Sequence, residues 1–349
     1  MIETIHHIVR ISARRDRTEI NAALMYAIED LFHPVRVRLY QCYPRAKKAM
    51  LFDCAGFDQH ISYVHNAYLP DRRYCTPLDN HAHLKRCRRE ASIVLDELDG
   101  GLHRLVFPVG PASEPLYLIE ITLTEEFTAD GRVSLMGLIE YFGNHIALLN
   151  YGEADTLTGL ASRKTFEKHL FELLGRANQD NLSANSGSEP VRRTGSSNDS
   201  RHWLAVCDID HFKSINDNFG HLIGDEVLIM MGQLMRTSFR FDDQLFRFGG
   251  EEFIVVLQPA DVDSAMRTFE RFRTEVANQV FSRVGHVTIS IGFSQLLPYD
   301  TPNDVIDRAD EALYYAKQHG RNRVDNYEML IAAGELQPKQ VAKGEVELF

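Results

Sequence analysis

The chain has no run of about 18 apolar residues, so no membrane-spanning helix is expected. Met1 to Arg10 carries neither an apolar core nor a small-residue cleavage site, and no secretory signal is expected there. The five cysteines are an odd number and include no CxxC pair, which points to reduced thiols and away from a disulfide framework. Positive charge is in deficit: 38 Lys and Arg against 49 Asp and Glu leave a formal net charge of −11. A surface rich in carboxylates repels phosphates, so neither nucleic acid nor an anionic membrane is an expected partner. Together these absences predict a cytoplasmic protein.

What is present fits a soluble globular chain. Its 349 residues favour two domains over one. Residues 1–150 read as one mixed α/β domain. A helical pattern covers Ile20–Leu31. Short apolar runs follow at Val35–Tyr40, Leu51–Cys54, Leu105–Val109 and Leu116–Thr122, with Pro111–Glu114 as a hairpin connection. A helix over about 134–151 closes the domain. Its apolar residues Leu135, Ile139, Phe142, Ile146 and Leu149 are spaced 4, 3, 4, 3, which suits either a coiled-coil seam or a stripe packed on its own domain.

A second domain is expected over 155–327. It opens with a helix, Lys164–Leu174, and Gly175–Ser200 reads as a polar loop. Strands fit Trp203–Cys207, Leu245–Phe248, Glu252–Leu257 and Val287–Phe293. Helices fit Leu222–Arg236, Val262–Asn278 and Asn303–His319. The alternation implies a sheet covered by helices. Residues 328–349 read as a tail.

Two features carry chemistry. The apolar run Leu204–Cys207 delivers Asp208 and Asp210 at a strand end, a common place for the oxygen ligands that hard cations need. Apolar flanks around Gly249-Gly250 predict a two-residue hairpin turn, with Glu251 and Glu252 just beyond it. Glycine at such a turn leaves room for a phosphate to approach the backbone.

These pieces, in this order, resemble the GGDEF family of diguanylate cyclases over roughly residues 155–324. Asp155-Thr156-Leu157-Thr158-Gly159-Leu160, followed by Arg163, is similar to the opening motif. Asp208 to Asp217 is similar to the metal and substrate segment, and Gly220-His221-Leu222-Ile223-Gly224-Asp225 follows it. Gly249 to Phe253 is the signature turn in its GGEEF form, and Ala309 to Tyr314 leads through Lys317 to Gly320-Arg321-Asn322. Ser162 stands where the family usually has Asn, Glu251 stands at the third signature position in place of Asp, and the loop before Trp203 is longer than usual.

The resemblance implies an α/β (α+β) fold with a GGDEF nucleotidyl-cyclase-like central sheet covered by helices. It implies condensation of two GTP into cyclic di-GMP by a homodimer. Asp208, the carbonyl of Ile209 and Glu251 would hold Mg²⁺ or Mn²⁺. Glu251 or Glu252 would help take the proton from the attacking hydroxyl. Lys213, Lys317 and Arg321 would contact the triphosphate beside Gly249 and Gly250. Lys317 and Arg321, four apart on a helical stretch, would share one face. Asn216 and Asp225 would read guanine, because a carboxylate accepts from N1–H and the 2-amino group. Arg240 and Asp243 match an inhibitory RxxD pair, with Arg271 as a secondary contact for the product. The first domain is similar to a GAF sensory domain in element order, with a PAS domain as the alternative, and would take an unknown small ligand. Cys42, Cys54, Cys75 and Cys87, with His81 and His83, fit no zinc spacing and read as structural thiols and surface histidines. The alternatives in function are a non-catalytic cyclic di-GMP receptor and a cyclase with a different cyclic dinucleotide product.

Overall fold

The computed structural model describes residues 2–43, 49–58, 61–67, 70–111, 113, 115–125, 128–185 and 201–337. The chain divides into two compact units, Met1–Gly159 together with Arg240–Asp242, and Leu160–Phe239 together with Asp243–Phe349.

The first unit contains α1 (Ile2–Ser12), α2 (Arg17–Phe32), β1 (Arg36–Tyr43), β2 (Met50–Asp58), β3 (Ile61–Val64), β4 (Cys75–Pro77), α3 (Ala82–Glu90), β5 (Val94–Leu98), β6 (Leu102–Val109), β7 (Tyr117–Leu123) and α4 (Ala129–Glu153). The strands form one antiparallel sheet in the order β3-β2-β1-β7-β6-β5, with β4 also paired to β2. The larger core lies where α1, α2 and α4 cover one face, with Ile20, Leu24, Phe52, Ile119 and Phe142 fully buried. A smaller core lies under α3 and includes Tyr40, Cys42, Leu84, Cys87 and Val106. Asp16 caps α2 by accepting from the amides of Thr18 and Glu19. Arg17, beside that cap, holds the last turn of α4: it donates to Glu153 at 2.7 Å and also to Asn150.

The helix stripe of Leu135, Ile139, Phe142, Ile146 and Leu149 packs into this unit's own core, so the coiled-coil alternative is set aside for those residues. The hairpin joining β6 and β7 pairs Val109 with Tyr117. Two residues of its expected connection, 112 and 114, lie outside the described residues. All five cysteines are free, and Cys42, Cys54 and Cys87 are buried. Burial pushes the thiols of Cys75 and Cys87 up to about 12, which disfavours the thiolate at neutral pH.

The second unit contains β8 (Ala161–Ser162), α5 (Arg163–Asn185), β9 (Arg201–Ile209), α6 (Phe212–Phe219), α7 (His221–Ser238), β10 (Gln244–Gly249), β11 (Glu252–Ala260), α8 (Val262–Asn278), β12 (Val280–Phe281), β13 (Gly285–His286), β14 (Ile289–Gln295), α9 (Pro302–Gln318), β15 (Val324–Asn326) and α10 (Tyr327–Ala333). The main sheet runs β15-β14-β9-β11-β10-β8. Its three central pairings are antiparallel and its two edge pairings, β14 with β15 and β10 with β8, are parallel. The middle stretches of two central strands, Trp203–Cys207 and Phe253–Leu257, are apolar because helices cover both faces. On one face Phe293 meets Trp203 and Phe269 of α8, and Phe239 meets Phe272. On the other, Phe246 meets Phe166 of α5. Each such buried ring stabilises the fold by about 1.5–3 kcal/mol relative to exposure.

Two expectations are corrected here. The polar stretch from Gly175 continues α5 to Asn185, and residues 186–200 lie outside the described residues. Arg176, Ala177, Gln179 and Leu182 are good helix formers, so polarity alone misleads there. The segment from Glu328, expected as a tail, begins as α10. Asn326 caps that helix, and Tyr327 and Leu330 pack against Ala312; residues 338–349 lie outside the described residues.

Helix α9 rests directly on β14. A Cβ at Gly292 would lie 2.1 Å from the amide nitrogen of Leu313 and 2.2 Å from the carbonyl oxygen of Ala309, so only glycine allows this approach. Gly292→Ala should therefore push α9 off the sheet and destabilise the unit by about 1–3 kcal/mol or more. Chemical denaturation of the two proteins side by side checks this, and unchanged midpoints would refute it.

Candidate active site

The site is assembled where β9 ends. Asp208 sits opposite Glu252 on β11 and opposite Ser290 on β14. The amide of Ile209 donates to the carbonyl of Glu251 at 3.4 Å, which draws the hairpin tip against the strand end. The turn is displaced by one residue from its expected place. Gly249 pairs with Glu252, so the turn residues are Gly250 and Glu251, and Glu252 opens β11. Gly250 has φ +43°, and a Cβ on Gly249 or Gly250 would meet nothing within 4 Å, so open space lies over both. Arg247 braces the turn by donating to the carbonyl of Gly250 through Nε at 3.2 Å and Nη2 at 2.9 Å. The sequence reading did not single out Arg247.

Helix α9 brings Lys317 to this strand end, where Nζ lies 2.8 Å from a carboxylate oxygen of Asp208. Asp208 is buried, and burial raises its carboxyl above the usual carboxylate range while Lys317 and Arg321 pull it back. Burial also raises Glu251, and the charges of Asp208 and Glu252 add to the effect. Glu252 is raised by burial and by Asp310 and Asp208, against Lys317 and Arg163. Three carboxylates thus crowd one place with Lys317 as the amine in direct contact. Among the described residues no group of three His, Cys, Asp or Glu side chains forms a ready metal cluster. The donor set of Asp208, Glu251 and the main chain between them consists of hard oxygens with excess negative charge, which suits Mg²⁺ or Mn²⁺.

Arg321 reaches the site by a different route from the one expected. Helix α9 ends at Gln318, and Gly320, Arg321 and Asn322 all take positive φ (107°, 60° and 45°). Lys317 and Arg321 are therefore not on one helical face. Arg321 is exposed on a left-handed turn, yet its charge still acts on Asp208. Asp210 is not a ligand candidate: it is buried, and its oxygens accept from Thr288 at 2.6 Å, Ser290 at 2.7 Å and the amide of Asn322 at 3.0 Å.

Lys213 and Asn216 stand on α6, a helix not expected from the sequence pattern. Lys213 is exposed and Asn216 half-buried. Asp225 lies in the second turn of α7. Helices α6 and α7 touch closely: a Cβ on Gly224 would lie 2.0 Å from Oδ1 of Asn216. Of the residues expected to bind product, Arg240 is exposed. Asp243 is buried and accepts from the amide of Gln258 at 3.2 Å. Arg271 on α8 donates to the carbonyl of Ser238 at 2.6 Å.

Residues 188–323 match the family described as "Diguanylate cyclase, GGDEF domain". The chain is 38% identical over 174 residues to Diguanylate cyclase DgcP of Pseudomonas aeruginosa, covering 49% of this chain and 23% of that protein. It is 38% identical over 183 residues to Response regulator PleD of Caulobacter vibrioides, covering 50% of this chain and 36% of that protein. It is 34% identical over 172 residues to Diguanylate cyclase DgcZ of Escherichia coli, covering 48% of this chain and 51% of that protein. The chain thus spans about half or less of the length of these relatives. Asp208, the Gly250–Glu251 turn and Lys317, which meet at the end of β9, all lie within the residues that match the GGDEF domain family.

Proposed function

We propose that the protein is a diguanylate cyclase, joining two GTP into one cyclic di-GMP with release of two pyrophosphates. The observation that carries this reading is the meeting of Asp208, Glu251, Glu252 and Lys317 at one strand end, beneath open space over Gly249 and Gly250. The 3′-hydroxyl of each GTP attacks the α-phosphate of the other, its proton leaves, and pyrophosphate departs from that phosphorus. Asp208, Ile209 and Glu251 would hold Mg²⁺ or Mn²⁺, which when bound neutralises triphosphate charge. Lys213, Lys317 and Arg321 bind the triphosphate as cations. Glu251 or Glu252, both raised toward neutrality by burial, is suited to receive the hydroxyl proton. Asn216 and Asp225 select guanine over adenine by accepting and donating on its polar edge.

Each domain carries one such site, so the reaction requires a second copy, and the active form is a homodimer. GTP and the divalent ion place the work in the cytoplasm. The first unit, an antiparallel sheet with α1, α2 and α4 on one face and α3 on the other, supports the reading of a GAF-like sensory domain whose ligand controls the cyclase. Arg240 and Asp243, with Arg271, form the product-inhibition site.

Purified protein with Mg²⁺ and GTP is expected to yield cyclic di-GMP and pyrophosphate, and neither with ATP. Asp208→Ala or Glu251→Ala is expected to lower turnover by about 10²-fold or more with the melting temperature kept. Mass-resolved product analysis decides: tight cyclic di-GMP binding without turnover would mark a receptor, and a product from ATP a different cyclase. Gly224→Ala forces the Asn216 amide aside. It is expected to raise KM for GTP roughly 2- to 10-fold, the loss of one hydrogen bond, with a smaller change in kcat. Equal kinetics in steady-state assays would show that Asn216 does not read the base. Arg240→Ala is expected to weaken product inhibition about 10- to 150-fold, the loss of a charge-assisted contact. Superimposable curves of initial rate against added cyclic di-GMP would remove Arg240 from the inhibitory site.

A further inference from the structure

We infer that Asp210 is a positioning residue that sets Arg321 toward the triphosphate by holding the left-handed turn on which Arg321 stands. The inference rests on the diguanylate cyclase reading for the identity of the triphosphate, and on the geometry of this chain for the rest.

Three successive residues, Gly320, Arg321 and Asn322, have positive φ. For the two that are not glycine this conformation is disfavoured by contact of Cβ with the backbone, and it persists only where the surroundings over-determine it. Here the surroundings are specific. The amide of Arg321 donates to the carbonyl of Ala316 at 3.0 Å. The amide of Asn322 donates to Oδ2 of Asp210 at 3.0 Å, and Oδ1 of Asn322 accepts from Arg273 of α8 at 2.8 Å. Of these anchors, Asp210 is the one that ties the turn to the sheet beside Asp208. Its own amide donates to the carbonyl of Thr288 at 2.9 Å, and its carboxylate also takes the hydroxyls of Thr288 and Ser290.

Three donors converge on two oxygens, and of these only the Asn322 amide cannot reverse its role, because a hydroxyl also accepts. An asparagine could keep its oxygen on that amide and turn its NH₂ to the Ser290 hydroxyl, whereas alanine removes the acceptor outright. Asp210→Ala leaves the Asn322 amide without this partner, and the turn loses its reason to stay left-handed. Arg321 is exposed and its charge reaches Asp208, so a relaxed turn carries that charge away from the strand end.

The experiment compares wild type, Asp210→Ala, Arg321→Ala and the double variant, each full-length, by calorimetric titration with inorganic tripolyphosphate in Mg²⁺ buffer. Arg321→Ala and Asp210→Ala are each expected to weaken binding about 10-fold or more, as expected for a lost charge-assisted contact. The double variant is expected to bind like Arg321→Ala alone, because the two act through one group. A merely structural Asp210 would lower the melting temperature and leave these affinities independent. Multiplying losses, an unchanged affinity in Asp210→Ala, or no binding by wild type would each overturn the inference. Should Asp210→Ala not fold, Asn322→Pro is used. It removes the same N–H and cannot take positive φ, while Asp210 keeps Thr288 and Ser290. It is expected to show the same loss and the same lack of additivity, and wild-type affinity in it would overturn the inference. GTP turnover by wild type is read separately. Its absence would remove the cyclase reading, while the tripolyphosphate titration would still decide the coupling of Asp210 to Arg321.

Discussion

The second unit depends on one constraint: several carboxylates must be held together at the end of a strand without driving each other away. Asp208 and Glu252 are brought opposite each other by the β9–β11 ladder, and Glu251 is carried in by the turn. Like charges at this separation raise one another's proton affinity, and burial adds to the penalty. The contact of Lys317 with Asp208 offsets part of that cost. It exists only because α9 lies close enough to β14, and Gly292 is what permits that approach. A glycine in the middle of the sheet thus decides whether a lysine on a helix can reach an aspartate on the neighbouring strand.

The two aspartates at the end of β9 illustrate how two identical side chains, two residues apart, take opposite roles. Asp208 has an ion pair and unsatisfied negative charge around it, the setting of a group that works on something brought to it. Asp210 has its oxygens occupied by Thr288, Ser290 and Asn322. Buried polar groups are costly unless paired, so a carboxylate with three donors is fixed in place. In the first unit, Arg17 does comparable work at the end of α4, joining Glu153 and Asn150 to the start of α2.

Much of the fold was legible from periodicity. Helix α8 coincides with the expected Val262–Asn278, and the strands at Trp203, Leu245 and Glu252 are longer than the expected runs by two to four residues. Failures had a common origin in short or polar elements. Strands β3, β4, β5 and β15 and helices α3, α6 and α10 were not anticipated, because so few residues carry too little pattern to identify themselves; the 11-residue α1 was missed as well. Helix α5 outran its apolar stripe on helix propensity alone.

For the site, the sequence by itself determined which residues could do chemistry: the acids at the end of β9, the Gly-Gly-Glu-Glu turn, and the cations Lys213, Lys317 and Arg321, in an order that resembles one family. It also determined that an amphipathic stripe runs along α4, without saying what the stripe packs against. Only the tertiary structure decided that Asp208 and Asp210 differ, that the turn is centred on Gly250 and Glu251, and that Arg321 stands on a left-handed turn rather than a helix face. The physical reason is that residue type sets what a group can donate, accept or carry, whereas a role depends on which partners have already claimed it. Those partners come from Ser290, Asn322 and Lys317, some 80 to 112 residues further along the chain, and nothing local in the sequence pairs them.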